Sequence, residues 1–182
     1  VPLHATKTVN EVFGLFTMDT DRFIHMDELD SDENIINFRN GILSLTQMRL
    51  LPHSPDYKST VQIPFDYDPA APVPKDSRFE SFIDHLTEGD AKARQLILEF
   101  MGVALSNIAG YRMKKALFMY GKGNTGKSLC KELLIRLLGE ERYSGIDLDS
   151  LEERFGTSQL FGKRLAGSSD MGFVTLKGLR VI

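Results

Sequence analysis

The sequence predicts an α/β protein: a small N-terminal α+β region with a β-hairpin and helices, then the first half of a parallel-sheet domain. Three observations predict it. β-forming residues flank Asn40-Gly41, two amphipathic helical stripes fill residues 77–108, and a short apolar run, a glycine-rich loop and an apolar-faced helix follow one another over residues 116–139. A chain of 182 residues holds one medium domain or two small ones. The expected divisions are 1–74 for the N-terminal region with hairpin and Pro-rich linker, 75–110 for a helical connector, and 111–182 for the opening half of the last domain.

Composition narrows the classes. With 42% hydrophobic and 26% charged residues the chain reads as ordinary globular protein. No apolar run approaches the length of a membrane-spanning helix, so no membrane partner is expected. The opening Val1-Pro2-Leu3-His4 has neither an initiator Met nor a signal-peptide pattern, so the chain is read as a fragment of something longer. The lone Cys130 excludes an internal disulfide and favours a reducing, cytoplasmic home. It is expected as a buried apolar side chain. Net charge is −3, spread unevenly: residues 1–34 carry 2 basic and 8 acidic side chains, residues 35–109 carry 7 and 9, and residues 110–182 carry 13 and 8. The positive last third coincides with the glycine-rich loop, where basic charge suits phosphates.

Along the chain, Val9, Val12, Phe13 and Phe16 fall at helical spacing and predict a helix over 6–17. The acidic run from Asp27 to Glu33 reads as a solvated loop, in preference to a metal-binding carboxylate pair. Ile35-Ile36-Asn37-Phe38-Arg39 and Ile42-Leu43-Ser44-Leu45 around Asn40-Gly41 predict a hairpin with a type I′ turn. Short strands are expected at 48–51 and 60–64. Pro69, Pro72 and Pro74 then mark a linker. Ser77 caps a first helix with Phe79, Phe82, Ile83 and Leu86 as its stripe. A second helix runs from Asp90 to about Ile108, with Ala93, Leu96, Ile97, Phe100, Met101, Ala104, Leu105 and Ile108 on one face.

Residues 116–120 form a short apolar run suited to a strand buried on both faces. Beyond the loop, Leu129, Cys130, Leu133, Leu134, Leu137 and Leu138 predict a helix stopping at Gly139. A weaker helix is expected at 148–154 and a second strand at 164–168, ending on Ser169 and Asp170.

The residues between run and helix carry the chemistry. Gly121-Lys122-Gly123-Asn124-Thr125-Gly126-Lys127-Ser128 matches G-x-x-x-x-G-K-[ST], the P-loop pattern, at every fixed position. Gly121, Gly123 and Gly126 let the backbone curl until successive N–H groups face a phosphate. The following helix aims its N-terminal amides at the same point. Lys127 is expected on the β- and γ-phosphates and the Ser128 hydroxyl on Mg²⁺, with Leu129 beside them in the nucleotide-binding set. From residue usage, a chance match in a chain of this length arises at about the one-per-cent level. A P-loop site also needs an acidic group near the metal's water shell, and Asp170 is the candidate for that catalytic and metal role. The rival reading has Asp170 capping a turn; Asp149, Glu152 and Glu153 fall in the expected helix instead. ATP and Mg²⁺ are thus the expected ligands. His4, His25, His53 and His85 are too scattered to form a metal site, and Arg112, Lys114 and Lys115 are either a solvated loop or DNA-phosphate contacts.

Taken in order, these pieces resemble the superfamily 3 helicase module of phage, plasmid and poxvirus primase–helicases. The resemblance rests on the segment Asn37-Phe38-Arg39-Asn40-Gly41-Ile42-Leu43-Ser44-Leu45, on Phe65-Asp66-Tyr67-Asp68-Pro69-Ala70-Ala71-Pro72, and on Glu99-Phe100-Met101-Gly102-Val103-Ala104-Leu105 ahead of the loop. Leu160-Phe161-Gly162-Lys163-Arg164-Leu165 looks like the entry to the family's second motif, whose acidic residue maps to Asp170. The likeness covers nearly all of residues 34–178. It implies an AAA+-like ATPase that forms a homo-oligomeric (hexameric) ring and translocates on single-stranded DNA during replication of a mobile element. It also implies a bacterial host or viral replication site, and a primase domain, if present, upstream of Val1. The chain stops at Ile182, before the family's polar sensor strand and the arginine that reaches a neighbour's ATP, and Lys177 matches a family lysine only loosely. The isolated fragment is therefore expected to bind ATP but to hydrolyse it weakly. A nucleotide or small-molecule kinase is the alternative enzyme, disfavoured by the long stretch ahead of the loop. A replication factor that only binds nucleotide is the non-catalytic alternative.

Overall fold

A computed structural model describes residues 6–18, 23–72, 74, 77–108, 110–146, 150 and 156–168. The expected helix at 148–154, Ser169, Asp170 and the tail through Lys177 lie outside the described residues, apart from Ser150. The architecture is mixed α/β, with a small antiparallel sheet and helices. No helix among the described residues is long and apolar enough to cross a membrane.

Helix α1 covers Thr6–Met18, as the spacing predicts, with no buried residue. Strands β1 (Ile35–Phe38), β2 (Gly41–Ser44) and β3 (Arg49–Leu51) form an antiparallel meander. The hairpin sits one residue earlier than the type I′ expectation. Phe38 pairs with Gly41, so the two turn residues are Arg39 and Asn40, neither at positive φ. Two forces set that register. The Asn40 side-chain amide pairs both ways with the Tyr67 backbone, at 2.9 and 3.0 Å. Gly41 also passes so close to β3 that a β-carbon there would lie 2.6 Å from the Leu51 carbonyl oxygen.

The strand expected at 60–64 reduces to a single bridge between Ile63 and Phe38. The N–H groups of Thr60 and Val61 are taken by the Asp30 carboxylate, and Pro64 has none to give. The Pro-rich stretch is tied to the hairpin tip by the Arg39–Asp66 ion pair at 2.8 Å and by Phe38–Tyr67 ring contact at 5.2 Å. The acidic run, expected as a solvated loop, is pinned: Glu28 pairs with Lys58, Asp30 binds Thr60 and Val61, and Glu33 pairs with Arg112. Carboxylates next to unpaired cations and N–H groups gain more from these partners than from water.

Helix α2 (Arg78–Leu86) starts on Ser77, whose hydroxyl accepts from Glu80 N–H at 3.4 Å. Helix α3 (Ala91–Leu105) starts on Asp90, which accepts from Lys92 and Ala93 N–H at 2.8 and 3.3 Å. Both caps satisfy amides that a helix start leaves open. Arg94 bridges the two helices to Asp84 and Glu80. Helix α3 stops three residues short of the expected end, because Ser106 turns the chain and the Asn107 amide donates to the Asp32 carbonyl at 3.1 Å. Leu96, expected in the stripe, is 57% exposed, whereas Ile97, Met101 and Ala104 are buried.

A short helix α4 (Gly110–Met113) leads to residues 116–120, which form no strand among the described residues. Phe118 and Tyr120 are exposed, so the expectation of a strand buried on both faces is not met. Extended chain becomes a strand only when a neighbour takes its ladder bonds, and among the described residues the parallel pair β4 (Tyr143–Ser144) and β5 (Leu165–Ala166) forms a separate two-stranded sheet that does not include residues 116–120. Helix α5 (Lys127–Leu138) ends at Gly139, whose φ of 90° suits glycine. Its buried residues are Cys130, Leu134 and Leu138; Leu129 faces outward. The core joins α2, α3 and α5 with the chain at Ile63: Ile63, Ile83, Ile97, Met101 and Ala104 cluster with Cys130, Leu134 and Leu138. Fully burying a side chain such as Ile83 or Leu138 contributes about 1.5–3 kcal/mol.

Candidate functional site

The loop at Gly121–Ser128 is built by backbone conformation. Asn124 at φ 60° and Gly126 at φ 93° are left-handed, and turns of this kind direct successive N–H groups to one side. Gly126 is also the N-cap of α5, and among the described residues no side-chain cap bond is made at that helix start. The contrast with α2 and α3 is physical: Ser77 and Asp90 occupy their helices' first amides, while α5 is entered through a glycine-rich loop.

Lys127 opens α5 and folds back over the loop. Its ammonium donates to the Lys122 carbonyl at 2.5 Å, to the Gly121 carbonyl at 3.1 Å and to the Thr125 hydroxyl at 3.1 Å. Thr125 in turn donates to the Lys122 carbonyl at 3.1 Å. A lysine has three N–H donors, and the loop meets all three. These acceptors are weaker partners for an ammonium than phosphate oxygens. Gly121, Lys122, Gly123, Asn124, Ser128 and Leu129 are exposed; Thr125, Gly126 and Lys127 are half-buried. All the loop residues singled out from sequence thus share one surface at the start of α5. Asp170, the remaining candidate, lies outside the described residues.

One neighbour was not legible from the motif. Phe82 of α2 lies edge-on against Gly126, where a β-carbon would come within 2.9 Å of its Cε2. Around the loop's base, burial in the core pushes the Cys130 thiol pKa up. Arg164 beside β5 is lowered by burial, with Asp30 opposing that shift and Arg142 adding to it. The Arg142 guanidinium donates to the Thr60 carbonyl at 2.9 Å, which ties the start of β4 to the N-terminal region. Of the basic trio, Arg112 is paired with Glu33, while Lys114 and Lys115 are exposed. Among the described residues no group of three or more His, Cys, Asp or Glu side chains forms a metal centre.

Comparison with known families bears on the region ahead of the loop. Residues 2–88 match the family model described as D5 N terminal like. The match runs through α2 and ends before the loop, and it fits the N-terminal region of a primase–helicase-like replication protein of phage or plasmid type.

Proposed function

We propose that the chain is the ATP-binding part of a superfamily 3-like DNA helicase, in a replication protein that couples hydrolysis to movement on single-stranded DNA. The observation that carries the proposal is the start of α5: an uncapped helix entered through left-handed Gly126, with the Lys127 ammonium lying over the loop. In this reading the triphosphate exchanges the loop carbonyls for its own oxygens as partners of Lys127, and the helix amides take the remaining charge. Ser128, exposed in the first turn of α5, suits a Mg²⁺ held jointly with phosphate oxygens and water. Such an ion supplies charge neutralisation between the phosphates. Asp170 is proposed to orient the attacking water. The family likeness of residues 2–88 supports a replication setting, and assembly into a homo-oligomeric ring belongs to the same proposal.

Binding of Mg-ATP to the 182-residue chain, with Lys127→Ala beside it, tests the first step. Wild type should bind and the variant should lose most of its affinity. Hydrolysis that single-stranded DNA stimulates, and that Lys127→Ala abolishes, would support the helicase assignment. Turnover should be slow and should rise with protein concentration, since an arginine supplied by a neighbour accounts for a large part of the rate in such enzymes. Phosphorylation of an added nucleoside or metabolite would replace this function with a kinase.

A further inference from the structure

Gly126 is constrained twice. Its φ of 93° excludes most side chains, and separately a β-carbon would meet Phe82 at 2.9 Å from Cε2 and 3.7 Å from Cδ2 and Cζ. Phe82 is half-buried, packed against the core cluster that holds Cys130 and Leu134 of α5. Its ring is therefore held by the core on one side and touches, on the other, the residue just before Lys127. We infer that Phe82 is a positioning residue for the phosphate loop: it fixes Gly126, and through it the direction in which α5 presents Lys127 and Ser128. The inference rests on the nucleotide-binding role proposed above and extends it to a side chain on α2, distant in sequence from the motif.

The physical reason is entropy. A loop with three glycines among its first six residues has many conformations, and a ligand that must order it binds more weakly. An aromatic ring wedged under the loop's last glycine removes part of that freedom before the ligand arrives. Phe82 makes this contact through Gly126, so its contribution is read in the affinity of the loop for its ligand.

Mg-ADP titrated calorimetrically into the 182-residue chain tests the inference, with an unfolding midpoint measured for each variant. Phe82→Ala should raise Kd about tenfold, and Phe82→Leu, which keeps apolar volume, about threefold. Leu86→Ala, on the same helix and packed on the same cluster, should lower the unfolding midpoint yet leave Kd within about twofold. Gly126→Ala should bind poorly, and adding Phe82→Ala should recover part of the loss, because the clash is relieved while the backbone strain stays. Should Phe82→Ala fail to fold, Phe82→Leu decides, with Leu86→Ala as its control. Wild-type affinity in Phe82→Ala, or equal weakening by Leu86→Ala, would overturn the positioning role alone. A wild-type chain that binds no Mg-ADP would overturn the nucleotide reading, and the positioning role with it.

Discussion

The Asp30 carboxylate holds Thr60 by two bonds, one from its N–H at 2.7 Å and one from its hydroxyl, and takes the Val61 N–H at 3.2 Å as well. Thr60 is gripped again from the far side, where Arg142 donates to its carbonyl. One short segment thus joins the acidic run, the chain entering the Pro-rich stretch, and the edge of the parallel strand pair.

Replacing Asp30 should loosen that join. Hydrogen bonds to a carboxylate are worth more than neutral ones, and the site is half-buried. Asp30→Ala should lower unfolding free energy by about 2 kcal/mol. Asp30→Asn should cost about half as much, since it keeps one acceptor and tolerates the left-handed φ of 52°. Urea unfolding measures both; equal midpoints for wild type and Asp30→Ala would refute the role.

Gly41 should not accept a side chain. The atom that its β-carbon would strike at 2.6 Å is the Leu51 carbonyl oxygen, which is backbone and cannot rotate away, and Leu50 Cγ lies at 2.8 Å. Gly41→Ala is expected to lose about 1–3 kcal/mol through the displacement of β3 from β2. A lowered thermal midpoint checks this; an unchanged one means that the strands part without cost.

Acid should weaken the N-terminal region in a defined direction. The hydrogen bond from Arg39 holds Asp66 below its ordinary 3.8, and that from Lys58 holds Glu28 below its ordinary 4.5. A carboxyl with a depressed folded-state pKa contributes stability that is complete above its unfolded value and is lost as pH falls through the lower folded value. Midpoints measured downward from pH 6 should therefore hold level, then drop below about pH 4.5. Asp66→Asn should flatten part of that drop. An identical acid limb in the variant would remove Asp66 from the account.

Cys130 should be silent in the native protein. It is fully buried, and burial pushes its thiol pKa up, so little thiolate is present to react. A thiol reagent at pH 8 should label the native chain slowly and the denatured chain at once. Fast native labelling would mean that α5 does not sit in the core as described.

Local chemistry made most of the helices readable. Ser77 and Asp90 each announce a helix start, and the spacing of Ile83, Ile97 and Met101 points to the buried face. What escaped was set at a distance. Leu96 and Leu129 fit an apolar stripe, yet which edge of a stripe is covered depends on the neighbour it meets. The hairpin turn moved by one residue because the Asn40 side chain bonds a backbone 27 residues away. Tyr143 and Ser144 make a strand too short for any periodicity to reveal. At the loop, the motif named every residue from Gly121 to Ser128 by pattern. Phe82 carries no such signature, since its contact with Gly126 depends only on where α2 lies.

The shared core has a mechanical meaning. Ile63 and Ile83 press on the same cluster as Cys130, Leu134 and Leu138, and close-packed interiors transmit strain instead of absorbing it. A pull on the hairpin or on α2 therefore arrives at α5 through packed side chains, much as load passes along a stiff beam. In the other direction, any tightening at the start of α5 bears on the region ahead of it.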